Sequence, residues 1–398
     1  MNDPSNPKTD ASEPRGEIEF NLFGRTDVGQ VREHNEDNFL IADLTRRSRG
    51  LREEDRCRRV QANGNVFGVC DGMGGAAAGE VASQLAVDLI FEQLLQAPAP
   101  RDSDELARNL VSAVEYAGHQ IYAEARADRS RRGMGTTATV AVLRDARLFI
   151  AQVGDSRAYV LRQGRLVQVT RDQSLVNQLI EAGQLTEEEA ETFEHNNIIL
   201  QALGTAETVQ VDLTYVDLRQ GDTLLLCSDG LSGMIRDPEI RQVLVDIDDP
   251  IRACKELTDR ANAAGGHDNI TVIVVRFSGL GLAAPSDTDE PVAYRKYPLP
   301  VDASATSTPT PISRQSSDAQ EATPLSDEAA NETRELRVGH TLFEPARPRE
   351  YPRPANYARS ARDEPVDLPT TGLAPQVVGA IVIFSLIVLA AVGIFLLR

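Results

Sequence analysis

The stretch Val66-Phe67-Gly68-Val69-Cys70-Asp71-Gly72-Met73-Gly74-Gly75 delivers one carboxylate at the end of an apolar run, then turns through residues that are mostly glycine. A single Asp at the end of a buried strand is costly unless something cationic meets it. The glycines beside it let the backbone itself, including the Gly72 carbonyl, approach that partner. Three more segments have this form: Arg32-Glu33-His34-Asn35-Glu36-Asp37, Cys227-Ser228-Asp229-Gly230 and Gly266-His267-Asp268-Asn269. Oxygen donors without clustered Cys or His suit hard divalent cations such as Mn²⁺ or Mg²⁺. Any one of these Asp residues, taken alone, reads as a turn or cap residue. As a set at strand ends they would repel one another on convergence, and divalent ions would relieve the repulsion.

The elements that must position these groups are legible from periodicity. Strands are expected at Val66–Cys70, Thr139–Leu143, Leu148–Val153, Ala158–Arg162, Thr223–Cys227 and Thr271–Phe277. Short turns at Arg144-Asp145 and Gln163-Gly164 predict antiparallel hairpins. After Gly75, Val81, Leu85 and Leu89 share a helical face with Ala82 and Ala86. Further helices are expected over Asp104–Ala127 and Ile251–Ala261. Long helices between groups of antiparallel strands predict an α+β layered domain rather than a Rossmann fold.

A net charge of −19 over 398 residues excludes a direct nucleic-acid partner, since phosphate backbones need a basic surface. Cys57, Cys70, Cys227 and Cys254 are scattered without CxxC pairing, which fits a reducing compartment and neither a zinc site nor a disulfide framework. Residues 1–19 are a polar, disordered N-terminus with no signal peptide. The domain is expected over 20–277. Residues 278–375 are rich in Pro, Ser, Thr, Asp and Glu and are expected to be a disordered linker. Residues 376–398 read as a transmembrane helix, because Val377–Leu397 is about 21 residues without a charge. Arg359 and Arg362 precede it, with Arg347, Arg349 and Arg353 further upstream, whereas only Arg398 follows. That asymmetry predicts that the domain over 20–277 lies in the cytoplasm, on a single-pass anchor in the cell membrane.

Six segments occur in the order found in PPM/PP2C-type serine/threonine phosphatases: Arg32-x-x-Asn35-Glu36-Asp37, Asp71-Gly72-Met73-Gly74-Gly75, Gly135-Thr136-Thr137-Ala138, Gly154-Asp155-Ser156-Arg157, Cys227-Ser228-Asp229-Gly230-Leu231 and Gly266-His267-Asp268-Asn269-Ile270-Thr271. Over residues 20–277 the chain resembles the bacterial branch of that family, which reverses Hanks-type kinases. The resemblance implies a four-layer αββα sandwich, two antiparallel sheets flanked by helices, with two metal ions at one end. It implies that Asp71 bridges both ions, that Asp229 and Asp268 complete one shell, and that Glu36 and the Gly72 carbonyl bind the other. Asp37 would hold water beside the metals, Asn269 would hydrogen-bond nearby, Asp155 would serve a third, weaker metal site, and Arg32 would grip the substrate phosphate. Implied partners are phosphorylated proteins, including serine/threonine kinases and their targets. The implied reaction is hydrolysis of phosphoserine and phosphothreonine by a water activated between two cations. The alternative is a catalytically inactive phospho-sensor or scaffold on the same fold, which would be expected to have lost ligands.

Eukaryotic members carry His where this chain has Met73, and Met cannot protonate a leaving alkoxide. His34 and His267 are candidates by position only, and a surface role fits a polar turn residue better. Cys254 and Arg260 have cysteine-phosphatase spacing, but no glycine lies between them and the pattern is helical, so a thiol mechanism is rejected. Asp246-Ile247-Asp248 follows no long apolar strand and reads as a loop. Ser174–Thr205, with a helix start at Thr186-Glu187-Glu188-Glu189 and a polar loop at His195-Asn196-Asn197, corresponds to a mobile flap in bacterial relatives.

Overall fold

The computed structural model describes residues 16–50, 56–74, 78–190, 193, 198–286 and 288–299. Strands β1 (Glu19–Asp27), β2 (Asp37–Asp43), β3 (Ser48–Arg49), β4 (Cys57–Arg59) and β5 (Asn65–Met73) come first. Two long helices follow, α1 (Ala78–Gln96) and α2 (Ser103–Ala127). Next are β6 (Gly135–Thr136), β7 (Ala138–Arg144), β8 (Arg147–Val153), β9 (Arg157–Arg162) and β10 (Arg165–Gln168). Short helices α3 (Leu175–Glu181) and α4 (Glu187–Ala190) lead to β11 (Asp212–Asp217) and β12 (Thr223–Cys227). The domain closes with α5 (Asp229–Ser232), α6 (Asp237–Asp246), α7 (Pro250–Ala263) and β13 (Ile270–Ser278).

One sheet runs β10-β9-β12-β13-β1-β4 and the other β11-β8-β7-β5-β2-β3, with β6 added to β5. The named strands pair antiparallel throughout. Side-chain alternation explains the layers. On β5, Phe67 and Val69 point between the sheets, while Val66 and Cys70 point towards α1 and α2. On β13, Ile273, Val275 and Phe277 fill the sandwich, while Val272 and Val274 meet Cys254, Leu257 and Ala261 of α7. Strands covered on both faces read as apolar runs rather than clean alternation. The expected four-layer αββα arrangement is present.

The local reasons are visible at the ends of elements. Arg144 pairs with Arg147 and Arg162 with Arg165 across two-residue turns. Asp145, Gln163 and Gly164 take positive φ there, as tight hairpins of right-twisted strands require. Asp102 caps α2 by accepting from the Glu105 amide at 2.8 Å, and Asp249 caps α7 ahead of Pro250. α1 is rotated from the face expected for it. Its buried stripe is Ala82, Ser83, Ala86, Val87, Ile90 and Leu94, whereas Val81, Leu85 and Leu89 are only partly buried. Small residues let the helix lie close to the sheet, and the larger ones fill its flank.

Both domain boundaries move outward. Ile18 accepts from the Val60 amide, so the first ordered backbone lies ahead of residue 20. The chain after Ser278, expected to leave the domain as a linker, stays on it to Leu299. Leu282 is buried in the sandwich core, and Arg219 grips Asp289 with two 3.0 Å hydrogen bonds. Residues 295–297 then run antiparallel to β11: Tyr215 donates to Arg295 and Tyr297 donates to Leu213. Tyr297 packs edge-on against Phe149 and Tyr215, with ring centroids at 5.0 and 5.5 Å. Residues 300–375, the proposed transmembrane segment and the His195–Asn197 loop lie outside the described residues. Among the described residues no helix is long and apolar enough to cross a membrane.

Phe67 is fully buried between the sheets, edge-on to Phe20 at 5.6 Å. Phe67→Ala is expected to destabilise the domain by about 3–5 kcal/mol, the usual cost of emptying an aromatic core position. Urea unfolding would measure it, and a loss under about 1 kcal/mol would contradict the packing described.

Candidate metal centre

Five of the acidic residues singled out above approach one end of the sandwich from five separate chain segments. Asp37 opens β2 and lies directly across from Asp71 on β5. Asp229 follows β12 at the start of α5, and Asp268 sits in the turn before β13. Asp155 lies in the turn between β8 and β9. Glu36, a sixth, immediately precedes β2.

The backbone around Asp71 is fixed at three points by the Gly135-Thr136-Thr137 segment. The Asp71 amide donates to Thr137 Oγ1 at 2.9 Å, and its carbonyl accepts from Thr136 Oγ1 at 2.9 Å and from the Thr137 amide at 2.8 Å. Thr137 Oγ1 also shares a 2.7 Å hydrogen bond with Ser156 Oγ, tying Asp71 to the turn that carries Asp155. Gln173 grips that turn as well: its amide donates to the Gly154 carbonyl and its Oε1 accepts from the Gly154 amide, both at 2.9 Å. Asn269 locks the Glu36 segment. Its Oδ1 accepts from the Glu36 amide at 2.8 Å, and its Nδ2 donates to the Val28 and His34 carbonyls at 2.9 Å.

Gly72 and Gly79 permit close backbone approach in the site. A Cβ on Gly72 would lie 2.2 Å from the Gly79 carbonyl oxygen and 2.5 Å from that of Glu36. A Cβ on Gly79 would overlap the Glu36 carboxylate, at 2.7 Å from Cδ. Gly79 was not evident from sequence, although a glycine inside an otherwise Ala-rich helix start is a signal of close backbone contact.

Burial dominates the electrostatics. Asp71 is pushed well above the usual carboxylate range by burial, then by Asp37, Asp229, Asp155 and Asp268 around it. Asp37 rises to about 7 through burial, against the hydroxyls of Thr271 and Ser228, and Asp229 and Asp268 add to the rise. Ser228 Oγ donates to Asp37 Oδ2 at 2.8 Å. Asp155 also rises to about 7, through burial and then Asp229. Asp229 and Glu36 are raised mainly by burial. Buried oxygens on Asp37, Asp155 and Asp229 accept no hydrogen bond. A cluster of hard oxygen donors that is crowded, desolvated and short of donors fits divalent cations. As they stand, no three acidic, histidine or cysteine side chains among the described residues are arranged to hold an ion. Arg32 occupies part of the space, its guanidinium 2.6 Å from Asp268 Oδ2.

The remaining candidates are placed as follows. His34 and His267 are exposed, and a Cβ on Gly265 would lie 2.8 Å from the His267 Nε2. Met73 lies against Gly135, its Cγ 3.4 Å from where a Cβ would stand. Cys254 is buried in α7, its thiol hydrogen-bonded to the Phe23 carbonyl and pushed up to about 12 by burial, while Arg260 pairs with Glu256. Neither member of that pair faces a phosphate loop. Asp246 ends α6 and Asp248 is fully exposed. Thr186 and Glu189 cap one another at the expected flap helix.

An αββα sandwich with hard-cation carboxylates gathered at one end defines a class of metal-dependent domain. The sequence profile of protein phosphatase 2C matches residues 44–268, and the chain belongs to that family. It is 37% identical to a Listeria welshimeri serine/threonine phosphatase stp over 251 residues, which are 63% of this chain and 93% of the relative. It is 38% identical to the Mycobacterium tuberculosis serine/threonine protein phosphatase PstP over 240 residues, 59% of this chain and 45% of that protein. A solved structure of a PstP catalytic domain in complex with two manganese ions superposes with a TM-score of 0.54 at 34% identity, covering 66% of this chain and 99% of that one.

The raised carboxylates make stability depend on pH. A group whose folded pKa lies above its unfolded value binds its proton more tightly when folded. Its stabilisation is therefore complete below about 4 and lost as pH rises towards about 7. Metal-free protein is expected to lose stability between pH 4 and 7, by up to about 1.4 kcal/mol per pH unit for each such group. Asp37→Asn should flatten the slope. Denaturant midpoints in chelator across this range measure it, and a midpoint that rises with pH would refute the burial argument.

Proposed function

We propose that this chain is a Mn²⁺- or Mg²⁺-dependent phosphatase that hydrolyses phosphoserine and phosphothreonine in proteins. The observation that carries the reading is the convergence of Asp37, Asp71, Asp155, Asp229 and Asp268, with buried oxygens lacking donors, in a member of the protein phosphatase 2C family. Its relatives are named serine/threonine phosphatases, and one structure among them holds two manganese ions.

Bound divalent cations supply the charge that polarises the phosphoryl oxygens and makes water a nucleophile at neutral pH. The residues divide the work of holding them. Asp71, which feels Asp37, Asp229, Asp155 and Asp268, would be the central ligand. Asp229 and Asp268 would hold one ion with it, Glu36 and the Gly72 carbonyl a second, and Asp155 a third, more weakly. Asp37 is enclosed and hydrogen-bonded by Ser228, which suits it to orient the attacking water and hold its proton. Arg32 is half exposed, so its guanidinium can leave Asp268 for the substrate phosphate, to which its fork is matched. Met73 has no proton to give to the departing alcohol.

The uncharged segment Val377–Leu397 supports a membrane tether with the domain on the cytoplasmic side. Tethering would raise the encounter concentration with membrane-anchored kinases and their targets.

Asp71→Ala is expected to lower Mn²⁺-dependent p-nitrophenyl phosphate hydrolysis at least about a thousand-fold, equivalent to about 4 kcal/mol of barrier. Arg32→Ala should act mainly on KM for a phosphothreonine peptide. An intact protein without metal-dependent turnover would sink the proposal. Removal of residues 376–398 should release the protein from membranes and leave hydrolysis of the small ester unchanged, and cell fractionation with the same assay tests both.

A further inference from the structure

The segment Gly279–Leu299 lies beyond the residues matched by the family profile, which end at 268. It forms a strap along the free edge of β11, and its side chains reach past that strand. The Tyr294 hydroxyl donates to Asp212 Oδ2 at 2.6 Å, and Lys296 pairs with Asp212 Oδ1 at 3.0 Å. Those bonds hold the Tyr294 ring beneath Arg171, whose guanidinium carbon stands 4.2 Å from the ring centroid. That is close for a cation over an aromatic face.

Arg171 connects the strap to the catalytic end by two routes. Its guanidinium pairs with Glu181 in the last turn of α3 at 3.3 Å. Its amide donates to Gln152 Oε1 at 3.0 Å, and Gln152 Nε2 donates to the Gly154 and Ser156 carbonyls at 3.1 and 3.3 Å. The two following residues continue the connection. Asp172 holds Arg157 through hydrogen bonds to both carboxylate oxygens, and Gln173 grips Gly154 from both sides. Gln173 also accepts from the Leu200 amide at 2.7 Å, so the far end of the α3–α4 segment returns to the same place. The strap, α3 and the Arg171–Gln173 stretch together wall a cavity of about 390 Å³.

We propose that Tyr294 is a positioning residue: by clamping Arg171 it fixes both α3 and the turn that presents Asp155 to the metal centre. The strap would then be a working part of the catalytic domain, not the start of a linker. The Asp155 half of this inference rests on the reading of Asp155 as a ligand; the α3 half does not.

The test uses the full-length chain and three variants. Tyr294→Ala removes the ring, Tyr294→Phe keeps it, and Arg171→Lys keeps the charge near Glu181 but loses the flat guanidinium face. In metal-free protein, amide hydrogen exchange over residues 171–182 should quicken about tenfold in Tyr294→Ala and Arg171→Lys, with β13 unchanged, and should stay near wild type in Tyr294→Phe. The Mn²⁺ concentration giving half-maximal p-nitrophenyl phosphate hydrolysis should rise several-fold in the same two variants. The rate at saturating Mn²⁺ should stay within about twofold. The double variant Tyr294→Ala, Arg171→Lys should be no worse than either single one, because both break one contact. Uniformly faster exchange across the domain, or unchanged exchange over 171–182, would overturn the proposal. Faster exchange with no change in Mn²⁺ dependence would overturn the Asp155 half alone. A wild-type chain without turnover would defeat the phosphatase reading and leave the exchange result standing.

Discussion

Asp37 and Asp71 face each other on neighbouring antiparallel strands, where directly opposed side chains start only about 4.5–5.5 Å apart. Like charges at that separation destabilise a sheet, and here three further carboxylates stand near enough to raise Asp71 still more. The cluster cannot escape by rotating into solvent, because β2 and β5 are central strands covered by α1 and the opposite sheet. The domain therefore carries a fixed electrostatic strain. Protons relieve it at low pH, and divalent cations are the remedy that works at neutral pH.

The surrounding structure holds the carboxylates without satisfying them. Their neighbours are mostly hydroxyls and amides: Thr136 and Thr137 on the Asp71 backbone, Ser228 on Asp37, and Asn269 on the Glu36 amide. Protein cations are kept from neutralising the group. Arg157 sits one strand end away but is committed to Asp172 and to the Tyr159 hydroxyl. Arg32 reaches Asp268 from an exposed position, so its hold is the kind that solvent and a competing anion can loosen.

Much of this was legible in the chain because Asp and Gly at strand ends are chemically conspicuous. Asp71-Gly72, Asp229-Gly230 and Asp268-Asn269 stand where apolar runs β5, β12 and β13 begin or end. The supporting contacts were not legible, since each joins positions far apart in sequence: Thr137 to Asp71, Ser228 to Asp37, Asn269 to Glu36. Among elements, the six strands read from sequence are present within a few residues, but β1, β2 and β11 were missed, as were the short β3, β4, β6 and β10. β1 alternates buried Phe20 and Leu22 with Asn21 and Arg25, and its register is set by β13, over two hundred residues away. The face of α1 was misjudged because large residues draw attention, while close helix-to-sheet packing is made by Ala82, Ala86 and Ser83.

The strap shows why composition misplaced the end of the domain. Gly279–Leu299 has no hydrophobic period, and averaged polarity marks it as linker. It stays on the domain through a few anchors: Leu282 in the core, Tyr297 against two aromatic rings, and Asp289 held by Arg219. Part of its purpose is plain from topology. β11 is an edge strand, and an uncovered edge invites pairing with another chain. Backbone pairing at residues 295–297 and the Tyr297 ring are enough to cover that edge. Tyr294 is not needed for it, since its ring turns off the strand to lie under Arg171. An edge cap selected only for cover would leave that arginine to solvent and its partner Glu181. The extra contact binds the strap to the segment beside the acidic cluster.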